Sequence, residues 1–247
     1  MTDTITTTAG RRYLAEASRL LERLAGDEWA SLSAAAALVA DSLARGGSVH
    51  AFGTGHSHML AEELFYRAGG LVRVKPILFE GLMLHASAEL STSLERLPGV
   101  AAALLEQHPI APGDVLVVAS NSGGNAVVRE MAGLARARGI PVIAIVSRAH
   151  ASSGSARATG GSNLQDVADV VIDNGGAPGD AAVAIDGFAQ RVGPTSTVVG
   201  AAALNAIVAE AAERLVVRGI EPEVFLSSNV EGGDDVNARL LHGGDGR

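Results

Sequence analysis

The segment DVLVVASNSGGNAVVREMAGLARARGIPVIAIV, residues 114–146, constrains the fold more than any other stretch of the chain. Residues 114–119 form a continuous apolar run, the signature of a strand buried on both faces. The run stops at a knot of small polar residues and glycines. Residues 125–138 then carry apolar side chains at helical spacing, closed by Gly139. After Pro141 comes another apolar run, residues 142–146. Strand, helix and strand in that order pair in parallel through a right-handed crossover.

The same alternation extends in both directions. Residues 12–24 place Tyr13, Ala17, Leu20, Leu21 and Leu24 at helical spacing, and residues 29–43 read as a second helix that stops at Gly46-Gly47. Residues 48–52 are a short strand, GTGHS is a loop, and residues 58–68 are a helix stopped by Gly69-Gly70. Residues 71–78 alternate as a strand does. Residues 90–107 are helical with a break at Pro98. Residues 148–162 read as a loop rich in Ser, Gly and Ala, residues 167–172 as a strand, and residues 195–217 as a long apolar helix. Residues 224–239 read as a tail with an acidic turn. The expected fold is α/β: a doubly wound, flavodoxin-like, three-layer α/β/α sandwich around a parallel sheet. Residues 1–46 supply helices packed outside it within the same domain, residues 47–220 form the domain proper, and residues 221–247 form a C-terminal tail.

Composition narrows the function. The 247 residues carry a formal charge of −8 and no cysteine. Thiolate metal sites, cysteine nucleophiles and disulfides are excluded. An acidic chain with scattered cations is a poor partner for nucleic acid or an anionic membrane. Residues 34–40 are apolar but far too few to span a bilayer. The N-terminal MTDTITTTAGRR has no apolar core of a signal peptide, so a cytoplasmic protein is expected. If the chain binds an anion, local dipoles must hold it.

Two strand-to-helix loops have that capacity: GTGHS, from Gly53 to Ser57, and SNSGGN, from Ser120 to Asn125. In such sheets ligands sit at the carboxyl ends of strands near a switch point. Helix N-termini offer unpaired N–H groups and partial positive charge, glycines let backbone approach closely, and serines add donors without bulk. Plain helix capping accounts for either loop alone. Two on consecutive crossovers of one sheet favour a phosphate. A dinucleotide fits poorly: GTGHSH has His58 at the third fingerprint position, and no acidic residue ends the next strand. There is no GxxxxGK[ST] motif either, so no cofactor is expected.

These loops carry a resemblance. Gly53-x-Gly55-x-Ser57 and Ser120-x-Ser122-Gly123, with FGTGHSHMLAEELFYRAGG, VVIDNGGAPGDAA, VGPTSTVVGAAALNAI and SSNVEGG, resemble the sugar isomerase (SIS) domain family, in a subgroup described only as phosphosugar-binding. That family includes phosphoheptose isomerase, the isomerase half of glucosamine-6-phosphate synthase and N-acetylmuramic acid 6-phosphate etherase. The resemblance implies a phosphate held by Ser57, Ser120, Ser122 and Asn125 with the backbone of Gly123 and Gly124. Gly55, His56 and Asn121 complete the expected loop contacts. Thr195 and Ser196, in VGPTST at the start of the long helix, are expected to touch the ligand as well.

An aldose–ketose isomerase also needs a base and an acid. Glu62 and Glu63 follow the first loop on its helix, about one turn short of the catalytic glutamate that the resemblance implies in phosphoheptose isomerase. His58 and His56 flank Ser57, and a histidine there can exchange protons near neutral pH. His85, with Glu80 and Glu89, lies beyond the second strand. The catalytic candidates are therefore Glu63, Glu62, His58 and His85. The resemblance also implies a glutamate shortly before VGPTST, where this chain has Gln190 and Arg191, and a histidine that the helix at 195–217 lacks. No metal site is expected: His56, His58, Glu62 and His85 could make one, but H-x-H on a loop is a weak signal without further ligands, and Asn229, Glu231, Asp234 and Asp235 do not match an EF-hand loop.

The expected activity is binding of a hexose or amino-hexose 6-phosphate and its aldose–ketose isomerisation through an enediol. A lyase or etherase on the same ligand class, and a non-catalytic phosphosugar sensor, are the alternatives. The apolar N-terminal helices and the Ala-rich helix at 195–217 imply a homodimer or homotetramer.

Overall fold

The computed structural model describes residues 8–153 and 162–242. Two N-terminal helices, α1 (Ala9–Ala25) and α2 (Trp29–Ala44), precede β1 (Val49–Gly53), α3 (His58–Leu64) and β2 (Val74–Pro76). Two helices, α4 (Ala88–Leu94) and α5 (Val100–Gln107), lead to β3 (Val115–Ala119), α6 (Ala126–Ala137) and β4 (Val142–Val146). Short helices α7 (Arg148–Ala151) and α8 (Leu164–Val167) flank a stretch, 154–161, outside the described residues. Then come β5 (Val170–Asp173), a hairpin of β6 (Val183–Ile185) and β7 (Phe188–Val192), α9 (Ser196–Val217) and α10 (Gly233–His242).

The main sheet has five strands in the order β2-β1-β3-β4-β5, all parallel. Every residue of β1, β3 and β4 is buried, because helices cover both faces. Successive side chains alternate between two cores. Ala51, Val117, Ile143 and Ile145 face α2, α3 and α9, with Ala35, Ala36, Val39, Ala203 and Leu204 among the partners. Phe52, Leu116, Val118 and Ala144 face α5 and α6, against Leu105, Val128 and Met131. The sandwich has three layers. The N-terminal helices belong to one outer layer, and α2 packs closely with α9 because both present alanines. Among the described residues no helix is long and apolar enough to cross a membrane.

The structure corrects the sequence reading at several elements. The expected helix at 58–68 ends at Leu64: Phe65 is extended and Tyr66 has φ +43°. The cause is distant in sequence. The Gly69 amide donates to the Phe225 carbonyl at 2.9 Å, and the Phe225 amide donates to the Gly70 carbonyl at 3.0 Å. Leu71 pairs antiparallel with Val224, so β2 shrinks to Val74–Pro76. Val167 ends a helix rather than starting a strand. The expected loop at 148–162 opens with a helical turn, and its remainder is largely outside the described residues. The hairpin of β6 and β7 was not expected; β7 is exposed throughout, so no buried run announces it. The tail is not a mere turn: α10 forms, and the buried Asn237 side chain holds both the amide and the carbonyl of Leu226 at 2.9 Å.

Candidate functional site

The strand order fixes where a ligand can lie. From β1 the chain goes to β2 on one side, then returns to β3 on the other. The crossovers leave β1 and β3 in opposite directions, opening a crevice at their carboxyl ends. Gly53 and Ala119 are partners in register, so the two loops that follow them start side by side.

The first loop is a tight 3-10 turn, Gly55–Ser57, in which the Ser57 amide donates to the Thr54 carbonyl at 3.0 Å. Gly53 has to be glycine: a Cβ there would lie 2.2 Å from the Ser57 carbonyl oxygen. The second loop folds on itself. The Gly123 amide donates to Ser120 Oγ at 3.1 Å, with Gly123 at φ +62°. Asn163 then clamps the loop, Nδ2 donating to the Ser122 carbonyl at 3.0 Å. A Cβ on Gly123 would come within 2.2 Å of Asn163 Oδ1. Asn121 Oδ1 accepts from Asn174 Nδ2 at 2.9 Å, tying the loop to the end of β5.

Capping does not use the polar groups of these loops. Neither Ser57, before α3, nor Asn125, before α6, makes a side-chain cap. Among the described residues, no protein hydrogen bond engages the Ser57 hydroxyl, the Ser122 hydroxyl or the Asn125 side chain, nor the amides of Ser122, Gly124, Asn125 and Ala126. The donors of Ser122, Gly124, Asn125 and Ala126 lie at the N-terminus of α6, where the helix dipole favours an anion.

Beside the first loop, His58 is 3 % exposed. Its Nδ1 lies 3.2 Å from Glu62 Oε1, and its Nε2 is buried without a partner. Burial pushes the imidazole below its ordinary value; Glu62 opposes the shift and His85 adds to it. At neutral pH the ring is uncharged. Donation from Nδ1–H to Glu62 leaves the lone pair on Nε2, which is buried away from solvent.

The sequence profile of the SIS domain matches residues 12–147, more than half of the chain. The chain belongs to the SIS domain family. A UPF0309 protein of Listeria monocytogenes is 44 % identical over 229 residues, covering 93 % of each chain. Two solved structures share the SIS architecture at low identity. A phosphoheptose isomerase from Francisella tularensis aligns with TM-score 0.50 and 17 % identity over 81 % of this chain and 94 % of its own. A candidate sugar-phosphate isomerase from Listeria monocytogenes aligns with TM-score 0.51 and 12 % identity, over 96 % of this chain and 95 % of its own. At these identities the likeness is one of fold.

Within this SIS domain the expected site residues do not all converge as open groups. Ser57, Ser122, Gly124 and Asn125 follow the carboxyl ends of β1 and β3 and, among the described residues, keep donors with no protein acceptor. Ser120 and the Gly123 amide are bonded to each other. Gly55 has φ +56°, and His56 is exposed. Glu63 is engaged elsewhere: its carboxylate pairs with Arg67 and accepts from Asn205 Nδ2 at 2.7 Å. His85, Glu80 and Glu89 are exposed. At α9, the amides of Thr195 and Ser196 donate to Asp180 Oδ1 at 3.1 and 3.0 Å, and the Ser196 hydroxyl bonds the same carboxylate. Asp180 occupies that helix N-terminus from within the chain. Sequence reasoning missed it, along with Asn163, Asn174 and Glu95. Each stands far in sequence from the loop it touches, and only the β5 segment VVIDNGGAPGDAA hinted at any of them. A separate cleft of about 640 Å³, lined by Leu43, Leu71, Arg73 and Glu223, sits at the amino ends of β1 and β2, away from both loops.

Proposed function

We propose that this SIS protein binds a sugar phosphate in the crevice between β1 and β3 and isomerises it between aldose and ketose. One observation carries the reading: two donor-bearing loops start in register at the switch point, and among the described residues the hydroxyls of Ser57 and Ser122 and the amides of Ser122, Gly124, Asn125 and Ala126 have no protein acceptor. An acidic chain can hold a phosphate there because the donors are neutral and the field is local. In this reading Ser57, Ser122 and the amides of Gly124, Asn125 and Ala126 take the phosphate oxygens, while Ser120 and Gly123 hold the loop in shape. The fold likeness to a phosphoheptose isomerase and to a candidate sugar-phosphate isomerase supports the ligand class.

For the chemistry, the exposed Glu62 carboxylate, 3.2 Å from His58 Nδ1, removes the proton from the carbon beside the open-chain carbonyl. The C–H electrons form the double bond of an enediol as the carbonyl oxygen takes a proton. Return of the proton to the former carbonyl carbon, with loss of the neighbouring hydroxyl proton, yields the other isomer. Buried, uncharged His58 orients that carboxylate through its Nδ1–H. We assign the ligand to the hexose or amino-hexose 6-phosphates.

Proton NMR in deuterated water, with a panel of aldose, ketose and amino-sugar 6-phosphates, tests both parts. Deuterium entering beside the carbonyl carbon is the expected result. Binding of a sugar phosphate without exchange refutes the isomerisation and leaves the lyase or sensor. Absence of binding across the panel refutes the phosphosugar site.

A further inference from the structure

One carboxylate of the fold stands apart from the cations. Among the described residues, buried and half-buried carboxylates otherwise face a cation, a histidine or a helix N-terminus. Arg23 faces both Glu28 and Asp173, Arg67 faces Glu63, and His50 faces Asp114. Glu130 accepts the Gly99 amide at the start of α5, and Asp180 sits on the start of α9. Glu95 is the exception. It is half-buried, and its one side-chain bond is from a neutral hydroxyl, Thr54 Oγ1 to Oε2 at 2.8 Å. A half-buried carboxylate with one neutral donor is costly unless another donor reaches it.

The position of Glu95 tells where that donor comes from. Thr54 belongs to the first loop and is itself buried. The main-chain carbonyl of Glu95 accepts from the Val127 amide, in the first turn of α6, at 3.2 Å. Glu95 therefore bridges the two loops at the switch point. Among the described residues, no other half-buried carboxylate touches both. Its distance from any cation is a feature of the one place in the fold where a ligand is expected to enter.

We propose that Glu95 binds the sugar moiety of the ligand: Oε2 is held by Thr54, and Oε1 accepts from a donor on the sugar carbon chain, a hydroxyl or an ammonium. This rests on the phosphosugar reading above, and it assigns Glu95 to specificity rather than to phosphate holding. A carboxylate repels phosphate and favours a ligand with a donor beside it, so the residue selects sugar phosphates over bare phosphate.

Glu95→Gln tests the assignment, because glutamine can still accept from Thr54 while losing the charge. Affinities for inorganic phosphate, glucose 6-phosphate and glucosamine 6-phosphate are measured by calorimetry on the wild type and the variant, with urea unfolding as a fold control. The expected result is a loss of about tenfold in affinity for the sugar phosphates, the scale of one charge-assisted hydrogen bond. Affinity for inorganic phosphate should hold or rise. A larger loss for glucosamine 6-phosphate marks an ammonium as the donor, and an equal loss marks a hydroxyl. Unchanged sugar-phosphate affinity overturns the proposal, as does an equal loss for inorganic phosphate, which would make Glu95 a strut for the loops. If the wild type binds neither phosphate nor sugar phosphate, the underlying site assignment fails instead. Should Glu95→Gln fail to fold, Thr54→Val, which frees Oε2, is measured in its place: it should narrow the preference for sugar phosphate over phosphate, and an unchanged preference overturns the proposal.

Discussion

Ser120 and Ser122 look alike in sequence, yet their hydroxyls have different partners, and a pair of alanine variants separates the different work that the proposed site gives them. Ser120 is buried, and its Oγ is the acceptor for the Gly123 amide at 3.1 Å. Removing it leaves that amide without a partner in a buried turn, at about 1–3 kcal/mol of stability. Ser122 Oγ has no protein partner among the described residues, so Ser122→Ala should change stability by no more than about 0.5 kcal/mol. Its hydroxyl is instead positioned among the open donors at the start of α6. If it donates to a phosphate oxygen, its loss costs about 1.5–3 kcal/mol of binding, roughly ten- to hundredfold in Kd. Urea unfolding and calorimetric titration with a sugar 6-phosphate measure the two quantities on the same samples. Ser122→Ala with wild-type affinity would refute the phosphate role of that hydroxyl. Ser122→Ala as unstable as Ser120→Ala would refute the division of labour within the loop.

Gly123→Ala should lose about 2–4 kcal/mol, combining a left-handed backbone with displacement of Asn163 from the Ser122 carbonyl; an unfolding midpoint near wild type would contradict the clamp. Stability should also fall on mild acidification. Burial holds His50 below its ordinary value despite Asp114, and His58 is lowered as well. The unfolded chain then takes up protons below about pH 6.5 that the folded chain refuses, so stability is full above that pH and declines as pH falls toward the depressed values. Asp114 adds to the decline at lower pH: burial alone would raise it, but the amides of Ala111 and Ser48 and the His50 ring hold it below the ordinary carboxylate value. Urea midpoints that stay level from pH 7.5 to about pH 5 would contradict this. Finally, α1 leaves Leu14 64 % exposed and the hairpin leaves Phe188 53 % exposed on elements that pack together, so the protein should self-associate; a monomer by sedimentation at micromolar concentration rejects that.

The crossover at 114–146 was legible because its signals are local. The apolar runs, the helical spacing and the closing glycine all act within a few residues of one another, and the tertiary structure agrees with each of them. The two loops were legible for the same reason: glycines with no room for a Cβ, next to serines, stand out in any window. Where α3 ends and β2 begins, and the β6–β7 hairpin, were not legible. Nothing between Leu64 and Leu71 announces that Phe225 and Val224 will take its backbone hydrogen bonds, and an exposed hairpin has no buried run to betray it.

The site divides along the same line. Sequence placed the donors, since hydroxyls, glycines and a helix start must be adjacent in the chain to share one loop. Which donors stay open was decided by tertiary contacts. Asn163 clamps Ser122, Arg67 and Asn205 engage Glu63, Asp180 fills the start of α9, and burial strips His58 Nε2 of water. So the sequence alone determined a parallel α/β chain with two anion-ready loops. The tertiary structure alone decided that these loops meet at the β1–β3 switch point with Glu95 between them, because hydrogen bonding and desolvation depend on neighbours that the chain brings together only when it folds.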